Sequence, residues 1–175
     1  MIRQSQPRCY WVTGLSGAGK TTLSTFLAEY LRNSGKPTVQ LDGDDLRKVF
    51  EYKAYIREER LIIAKHYSRL CRLLINQGIN VVIGVICLFK EIHTWNRENI
   101  EGYVEIFVDT PLNELKKRDP KGIYKKVISG EISNVAGFDL KVDFPDDPDI
   151  HLIWKQGKSE NIMNNELLEK IDRWL

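Results

Sequence analysis

The stretch Gly14-Leu15-Ser16-Gly17-Ala18-Gly19-Lys20-Thr21 decides the fold, because it matches the pattern GxxxxGK(S/T) of a phosphate-binding loop, or P-loop. A short β-prone run precedes it at residues 9–13, and residues 20–32 follow with apolar side chains three and four positions apart. Strand, loop and helix in this order are the context that the motif requires. The glycines let several backbone N–H groups face a phosphate, and the helix N-terminus adds partial positive charge.

The motif also predicts which side chains bind the triphosphate of ATP. Lys20 would reach the β- and γ-phosphates, and the Thr21 hydroxyl would be a ligand of Mg²⁺. The predicted ATP-binding residues of this loop are Gly14, Ser16, Gly17, Ala18, Gly19, Lys20, Thr21 and Thr22.

Strand and helix patterns alternate along the rest of the chain. Strands are predicted at residues 38–41, 81–86, 104–108 and 150–154, and helices at residues 57–77 and 165–175, with another helix opening at 109–111. Alternating elements form βαβ units in a parallel sheet with helices on both faces. We therefore predict one α/β domain over residues 1–175 with a five-stranded parallel sheet.

One segment, residues 119–148, departs from this alternation. It is rich in lysine, aspartate and proline and has little apolar periodicity beyond its first turn. Loops longer than about 12–15 residues inside a compact domain are usually functional or disordered. We therefore predict that this segment is a long functional loop, or lid, beside the phosphate-binding loop.

A second cluster of polar residues, Asp42-Gly43-Asp44-Asp45-Leu46-Arg47, directly follows the second predicted strand. Ligands bind at the carboxyl ends of the strands in sheets of this kind. Asp42 or Asp44 would accept a proton from an attacking hydroxyl or hold Mg²⁺ through water, and Arg47 would pair with an anionic substrate. Asp45 alone is better explained as the cap of a helix.

Composition excludes several classes of protein. The net charge of +2 is too small for a nucleic-acid-binding surface, and the longest apolar run, residues 79–89, is too short to span a membrane. Three cysteines without paired spacing and a polar N-terminus predict a cytoplasmic protein. No NKxD run is present, which argues against a GTPase, and the four scattered tryptophans are attributed to packing. The best remaining class is a small-molecule kinase.

The chain resembles the adenylylsulfate kinase family, whose members phosphorylate the 3′-hydroxyl of adenosine 5′-phosphosulfate. The resemblance rests on residues 14–22 and 41–47 and on three further runs, and it is weakest over residues 50–101. Those runs are Phe107-Val108-Asp109-Thr110-Pro111-Leu112, residues 118–126, and Ser129-Gly130-Glu131-Ile132. It implies an α/β P-loop kinase fold with a lid, Mg²⁺ and ATP as cofactors, and a homodimer.

The resemblance also implies roles for individual side chains. Lys20 would be catalytic together with Asp42 or Asp44, one of which is the base or metal partner, and Arg118 would bind ATP from the lid. The implied acceptor-binding residues are Asp42, Asp44, Arg47, Tyr55, Arg60, Ile86, Cys87, Lys121, Tyr124 and Lys125. Cys87 is predicted to be pocket wall, since nothing in the sequence lowers the pKa of its thiol.

Departures from the family pattern fall on the acceptor side. An asparagine of the family is Ile63 here, a Gly-Phe pair is Ala54-Tyr55, and a Phe-Thr-Gly run of the lid is Val135-Ala136-Gly137. Two small nucleotide acceptors therefore stay open. One is adenylylsulfate, and the other is cytidine diphosphoramidate, whose smaller base needs less aromatic contact. A nucleotide-binding module without catalysis and an ATPase that drives a partner are further alternatives.

Overall fold

The structure is a computed structural model that describes residues 6–54 and 56–175. Its elements are β1 (Cys9–Thr13), α1 (Lys20–Asn33), β2 (Thr38–Asp42), α2 (Gly43–Val49), α3 (Arg57–Ile75), β3 (Asn80–Val85), α4 (Lys90–Asn99), β4 (Tyr103–Asp109), α5 (Leu112–Arg118), α6 (Ile123–Ile128), β5 (Ile150–Ile153) and α7 (Glu160–Ile171), followed by a 3₁₀ turn (Asp172–Trp174). The predicted acceptor contact of Tyr55 lies outside the described residues.

The five strands form one parallel sheet in the order β2-β3-β1-β4-β5. This confirms the predicted fold class. The central strand β1 pairs with β3 on one side and with β4 on the other. The chain therefore leaves β1 toward one half of the sheet and later crosses to the other half, which makes the carboxyl end of β1 the switch point where ligands bind.

Helices cover both faces of the sheet. Successive side chains of a strand point to opposite faces, so the apolar residues of β1 are buried in two separate cores. Tyr10 and Val12 of β1 lie in one buried core with residues of α1 and α7. Cys9 and Trp11 lie in a second core with residues of α3 and α4. The P-loop is thus mounted on a strand that is buried on both faces, which fixes its position.

Helices α4 and α7 differ from the sequence-based expectation. Helix α4 was not predicted, because Ile92 and Trp95 are its only apolar residues and His93 and Asn96 fill the rest of its buried face. Helix α7 begins at Glu160 rather than at residue 165, since the Ser159 side chain caps it by accepting a hydrogen bond from Ile162 N.

The lid segment, residues 119–148, is more structured than its sequence suggested. It contains the short helix α6 and buries the side chains of Tyr124, Val135 and Ala136 in the same core as β1. A Cβ atom on Gly137 would approach the Leu15 side chain to 2.5 Å, so this part of the segment lies directly against the P-loop.

Candidate active site

The P-loop connects β1 to α1 by a path that only glycine follows without strain. A Cβ atom on Gly14 would lie 2.5 Å from the carbonyl oxygen of Val108 in β4, well inside contact distance. Gly19, immediately before α1, has a φ of 99°, in the left-handed region. These two positions let the loop turn tightly at the end of the sheet.

The Lys20 side chain folds back onto the P-loop from the first residue of α1. Its Nζ donates a hydrogen bond to the carbonyl oxygen of Leu15 at 2.8 Å. Burial of the amine, with the positive charge of Lys121 nearby, lowers the pKa of Lys20 from 10.5 to about 8. A desolvated cation of this kind is stabilised when an anionic phosphate replaces the carbonyl as its partner.

The lowered pKa of Lys20 makes ATP affinity depend on pH. Above about pH 8 the free protein holds a neutral Lys20 amine, so binding of phosphate must also take up a proton. We expect the Kd for ATP to rise by up to about tenfold per pH unit above that point, for a single linked proton. Calorimetry from pH 7 to pH 9.5 measures this dependence.

Lys20→Arg is the control for the pH experiment, since a guanidinium remains charged throughout the range. Its Kd should stay flat where that of the unmodified protein rises. A matching rise in the arginine variant would assign the effect to another group. Without ligand, the unfolded chain keeps the Lys20 proton up to about pH 10.5, so stability should increase between about pH 8 and 10.5.

Asp42 links the P-loop to the second polar cluster. Its Oδ2 accepts a hydrogen bond from Thr21 Oγ1 at 2.8 Å, and its Oδ1 accepts one from the backbone N–H of Asp44 at 2.8 Å. Asp42 is therefore the N-cap of α2, and the prediction that Asp45 caps this helix is wrong. Asp45 is exposed and pairs with Lys48, one turn further along.

Within the described part of the chain, the side-chain partners of the Asp44 carboxylate are cationic. It forms ion pairs with Arg47 on α2 and with Lys121 of the lid segment. The Asp44 carboxylate is partly exposed, and its partners are long side chains that an incoming phosphate would attract. Asp42 and Asp44 thus differ, because the first is bound within the protein framework and the second is free to exchange its partners.

The lid segment is anchored to the P-loop by Tyr124. The Tyr124 hydroxyl donates a hydrogen bond to the carbonyl oxygen of Ser16 at 2.9 Å, and the ring is buried. At the start of α6, the Asp119 carboxylate accepts hydrogen bonds from the backbone N–H groups of Tyr124 and Lys125. Lys125, predicted to contact the acceptor, is exposed.

A cavity of about 650 Å³ opens beside the P-loop, between the ends of β2 and β3, helix α3 and the lid segment. Of the predicted acceptor-binding residues, Arg47, Arg60, Ile86 and Cys87 line it. Asp42, Asp44, Lys121, Tyr124 and Lys125 are not among its lining residues. Residues of the wall that the sequence analysis did not assign to acceptor binding include Tyr52, Ile63, Tyr67, Val85, Asn134, Val135 and Ala136.

The cavity combines positive charge with an apolar wall. Arg60 Nη2 donates to the carbonyl oxygen of Asn134 at 2.7 Å, so the lid segment holds one of its two arginines in place. Burial lowers the pKa of Arg60, which indicates a guanidinium removed from much of its water. Burial also raises the pKa of the Cys87 thiol to about 12, so it is a protonated wall group rather than a nucleophile.

Tyr67 is a cavity residue that sequence reasoning missed. Tyr67 lies one turn after Ile63 on the same face of α3, and this spacing was the signal in the sequence that could have placed it in the site. Its side chain is buried, and its hydroxyl has no hydrogen-bond partner among the described residues. The hydroxyl of Tyr124, by contrast, is satisfied by Ser16.

This contrast predicts opposite effects on stability. Tyr67→Phe should leave the free energy of unfolding unchanged or increase it, because no hydrogen bond is lost. Tyr124→Phe should lower it by about 1 kcal/mol, since the Ser16 carbonyl loses its donor. Urea denaturation of both variants measures the difference, and equal destabilisation by the two would contradict the assignment.

Arg118, the predicted ATP contact, lies on α5 and is not among the residues that line this cavity. Its Nε donates to Glu114 at 3.1 Å, and its guanidinium carbon lies 4.5 Å from the centre of the Trp154 ring. Among the described residues no cluster of three or more His, Cys, Asp or Glu side chains is suited to a metal ion. Within that same part of the chain, no helix has the length and apolar character to cross a membrane.

A parallel sheet with the order 2-3-1-4-5, a P-loop after its central strand and a cavity beside that loop together define a P-loop kinase. The chain superposes on the structure of Mycobacterium tuberculosis APS kinase in complex with AMPPNP and APS with a TM-score of 0.86 and 29% identity. The match covers 96% of this chain and 99% of that protein. The structure of APE1195 matches with a TM-score of 0.84 at 32% identity, over 97% of both chains.

Sequence comparison gives the family. The family model for adenylylsulphate kinase matches residues 6–153, and the chain belongs to this family. It is 38% identical over 143 residues to cytidine diphosphoramidate kinase of Campylobacter jejuni, covering 82% of this chain and 84% of that protein. It is also 38% identical over 152 residues to adenylyl-sulfate kinase of Pseudomonas aeruginosa, covering 85% of this chain and 78% of that protein. The predicted family is confirmed, and the chain is an ATP-dependent nucleotide kinase.

Proposed function

We propose that this protein transfers the γ-phosphoryl group of ATP to the ribose 3′-hydroxyl of adenylylsulfate. The observation that carries the proposal is a P-loop with Lys20 and Thr21 in place beside a cavity lined by two arginines. A cavity with Arg47 and Arg60 suits a small nucleotide with an anionic tail, since guanidinium groups bind such oxygens in a bidentate manner.

The proposed mechanism gives each polar side chain a separate task. Lys20 stabilises the charge of the transferred phosphoryl group, and Arg47 and Arg60 orient the acceptor. Asp44 accepts the proton of the attacking hydroxyl, because its carboxylate is partly exposed and forms an ion pair with Arg47, which lines the cavity. Tyr124 and the rest of the lid segment exclude water from the phosphate.

The residues around Thr21 suit Mg²⁺. Its hydroxyl and the Asp42 carboxylate are adjacent oxygen ligands, and Mg²⁺ is usually held by one or two protein groups together with substrate phosphates. A bound Mg²⁺ would neutralise developing charge on the phosphates. Asp42 would orient the Thr21 hydroxyl by accepting its hydrogen bond.

A second acceptor, cytidine diphosphoramidate, is favoured by a specific observation. The cavity wall carries Ile63, Val135 and Ala136, and these small or aliphatic side chains replace the family's polar and aromatic contacts. A pyrimidine needs less aromatic surface than a purine. The relative in Campylobacter jejuni that carries this activity in its name is as similar to the chain as the adenylyl-sulfate kinase from Pseudomonas aeruginosa.

An ADP-release assay with each acceptor at equal concentration tests the proposal. A rate that rises with adenylylsulfate supports it, and a rate that rises only with cytidine diphosphoramidate assigns the second acceptor. ADP formation that needs no acceptor would identify an ATPase. ATP binding without ADP release under any condition would identify a regulatory module.

The setting of the enzyme follows from the sequence and stays a prediction. Cys9, Cys71 and Cys87 are all unpaired, which fits the expected reducing cytoplasm. The homodimer implied by the family resemblance is tested by light scattering. Neither nucleic acid nor a membrane surface is an expected partner, given the net charge of +2.

A further inference from the structure

The Arg118 guanidinium lies over the ring of Trp154, outside the acceptor cavity. The guanidinium carbon lies 4.5 Å from the ring centre, within the range of a cation–π interaction. The Arg118 side chain remains 34% exposed, so part of it is open to a further partner. Trp154 is half-buried just beyond β5.

The sheet places this pair on the far side of the P-loop from the acceptor. The Trp154 backbone N–H donates to the carbonyl oxygen of Asp109 at 2.8 Å, so Trp154 lies at the carboxyl end of β4. The acceptor cavity is lined instead by Gly43, after β2, and by Val85 at the end of β3 with the four residues that follow this strand. The P-loop follows β1, between these two halves of the sheet.

Phosphoryl transfer requires the attacking and leaving oxygens to lie in line on opposite sides of the phosphorus. With the acceptor on the β2 and β3 side of the P-loop, the rest of the donor nucleotide extends toward β4 and β5. Helix α5, which carries Arg118, lies there: a Cβ atom on Gly17 of the P-loop would be 3.8 Å from Leu115 of that helix. Arg118 and Trp154 are thus on the side where the donor's base emerges.

We propose that Trp154 is a positioning residue for the donor base. Its indole holds the Arg118 guanidinium flat against one face, and the other face of the guanidinium stacks on the base of ATP. A planar, weakly hydrated guanidinium suits this task, whereas an ammonium group does not. This inference rests on the proposed phosphate site at residues 14–21, and it revises the sequence-based view that Trp154 serves packing alone.

The chain contains a matched pair for comparison. Arg173 and Trp174 also stack, with the guanidinium carbon 3.8 Å from the ring centre, but they lie beyond α7 at the end of the chain. Trp174→Ala therefore removes a similar interaction at a different place. Comparison of the two variants shows whether an effect comes from losing any contact between an arginine and a tryptophan, or from losing the site that binds the base.

The test compares two probes by calorimetry, ADP and inorganic tripolyphosphate, because only ADP carries a base. Trp154→Ala should raise the Kd for ADP roughly tenfold, as expected when a cation–π interaction is lost, and should leave the Kd for tripolyphosphate unchanged. Arg118→Lys should have the same selective effect, since it keeps the charge and loses the plane. Trp154→Phe should restore most of the ADP affinity, and Trp174→Ala should change neither probe.

Two outcomes would overturn the inference. Equal weakening of ADP and tripolyphosphate by Trp154→Ala would mean that Trp154 supports the fold of the phosphate site, and no weakening of either would leave it a packing residue. Thermal melts of each variant exclude loss of folding, and Trp154→Phe serves if Trp154→Ala does not fold. If the unmodified protein binds neither probe, the phosphate site itself is wrong, and the inference fails with it.

Discussion

Lys20→Ala reduces the rate of phosphoryl transfer by at least about a hundredfold, as expected when one preorganised group is removed from the transition state. The Lys20 amine is the cation that the P-loop holds at the start of α1, and its Nζ donates a hydrogen bond to the Leu15 carbonyl. Because this amine is desolvated, its removal should not destabilise the fold. ADP release and a thermal melt measure the two effects together.

Lys48→Ala is the control for this prediction. Lys48 is also a lysine near the site, but it is exposed and pairs only with the exposed Asp45. Surface ion pairs of this kind contribute little to stability, so the variant should retain full activity. Turnover that survives in Lys20→Ala would refute the phosphate site, and comparable loss in Lys48→Ala would show that the assay reports something less specific.

Asp44→Asn should reduce kcat by about 10²- to 10⁴-fold, the usual contribution of a general base. The substitution keeps the shape of the side chain and removes its charge, together with its attraction for Arg47 and Lys121. The Kd for ATP should change little, since the P-loop contacts of the triphosphate remain. Single-turnover kinetics and calorimetry separate the two quantities.

The adjacent residue provides the matched control. Asp45→Asn removes the same charge one position along α2, where the carboxylate is 72% exposed and pairs with Lys48. It should leave kcat unchanged. Retained activity in Asp44→Asn would transfer the role of base to Asp42, whose two carboxylate oxygens are engaged by Thr21 and by the N–H of Asp44.

Local patterns in the sequence were sufficient for most of the fold. The buried β-branched run of β3 and the regular apolar spacing of α1 each report an element directly, because burial imposes a period on the side chains. Helix α4 escaped detection because His93 and Asn96 occupy its buried face. Helix α6 escaped because six residues within a charged segment hold too few turns to show a period.

The candidate site was predicted in part, and the limit has a physical reason. Contiguous motifs named Lys20, Thr21 and Asp42. In the structure Lys20 and Thr21 begin α1, and the Thr21 hydroxyl donates a hydrogen bond to Asp42 at the end of β2. Tyr67 and Trp154 belong to no motif, and each gains its position from a partner distant in the chain. Such contacts depend on how helices and strands pack against each other, and this packing cannot be predicted from local sequence patterns.

The P-loop, the parallel α/β architecture and the kinase family could be predicted without a structure, because each depends on local spacing and on backbone freedom at glycine. Packing between elements was needed to show that Asp42 is bound to Thr21 and caps α2 while Asp44 pairs with Arg47 and Lys121. Packing also places the cavity and the Arg118–Trp154 pair on opposite sides of β1. The reason is that strand order, unlike strand content, is set by which elements pack together.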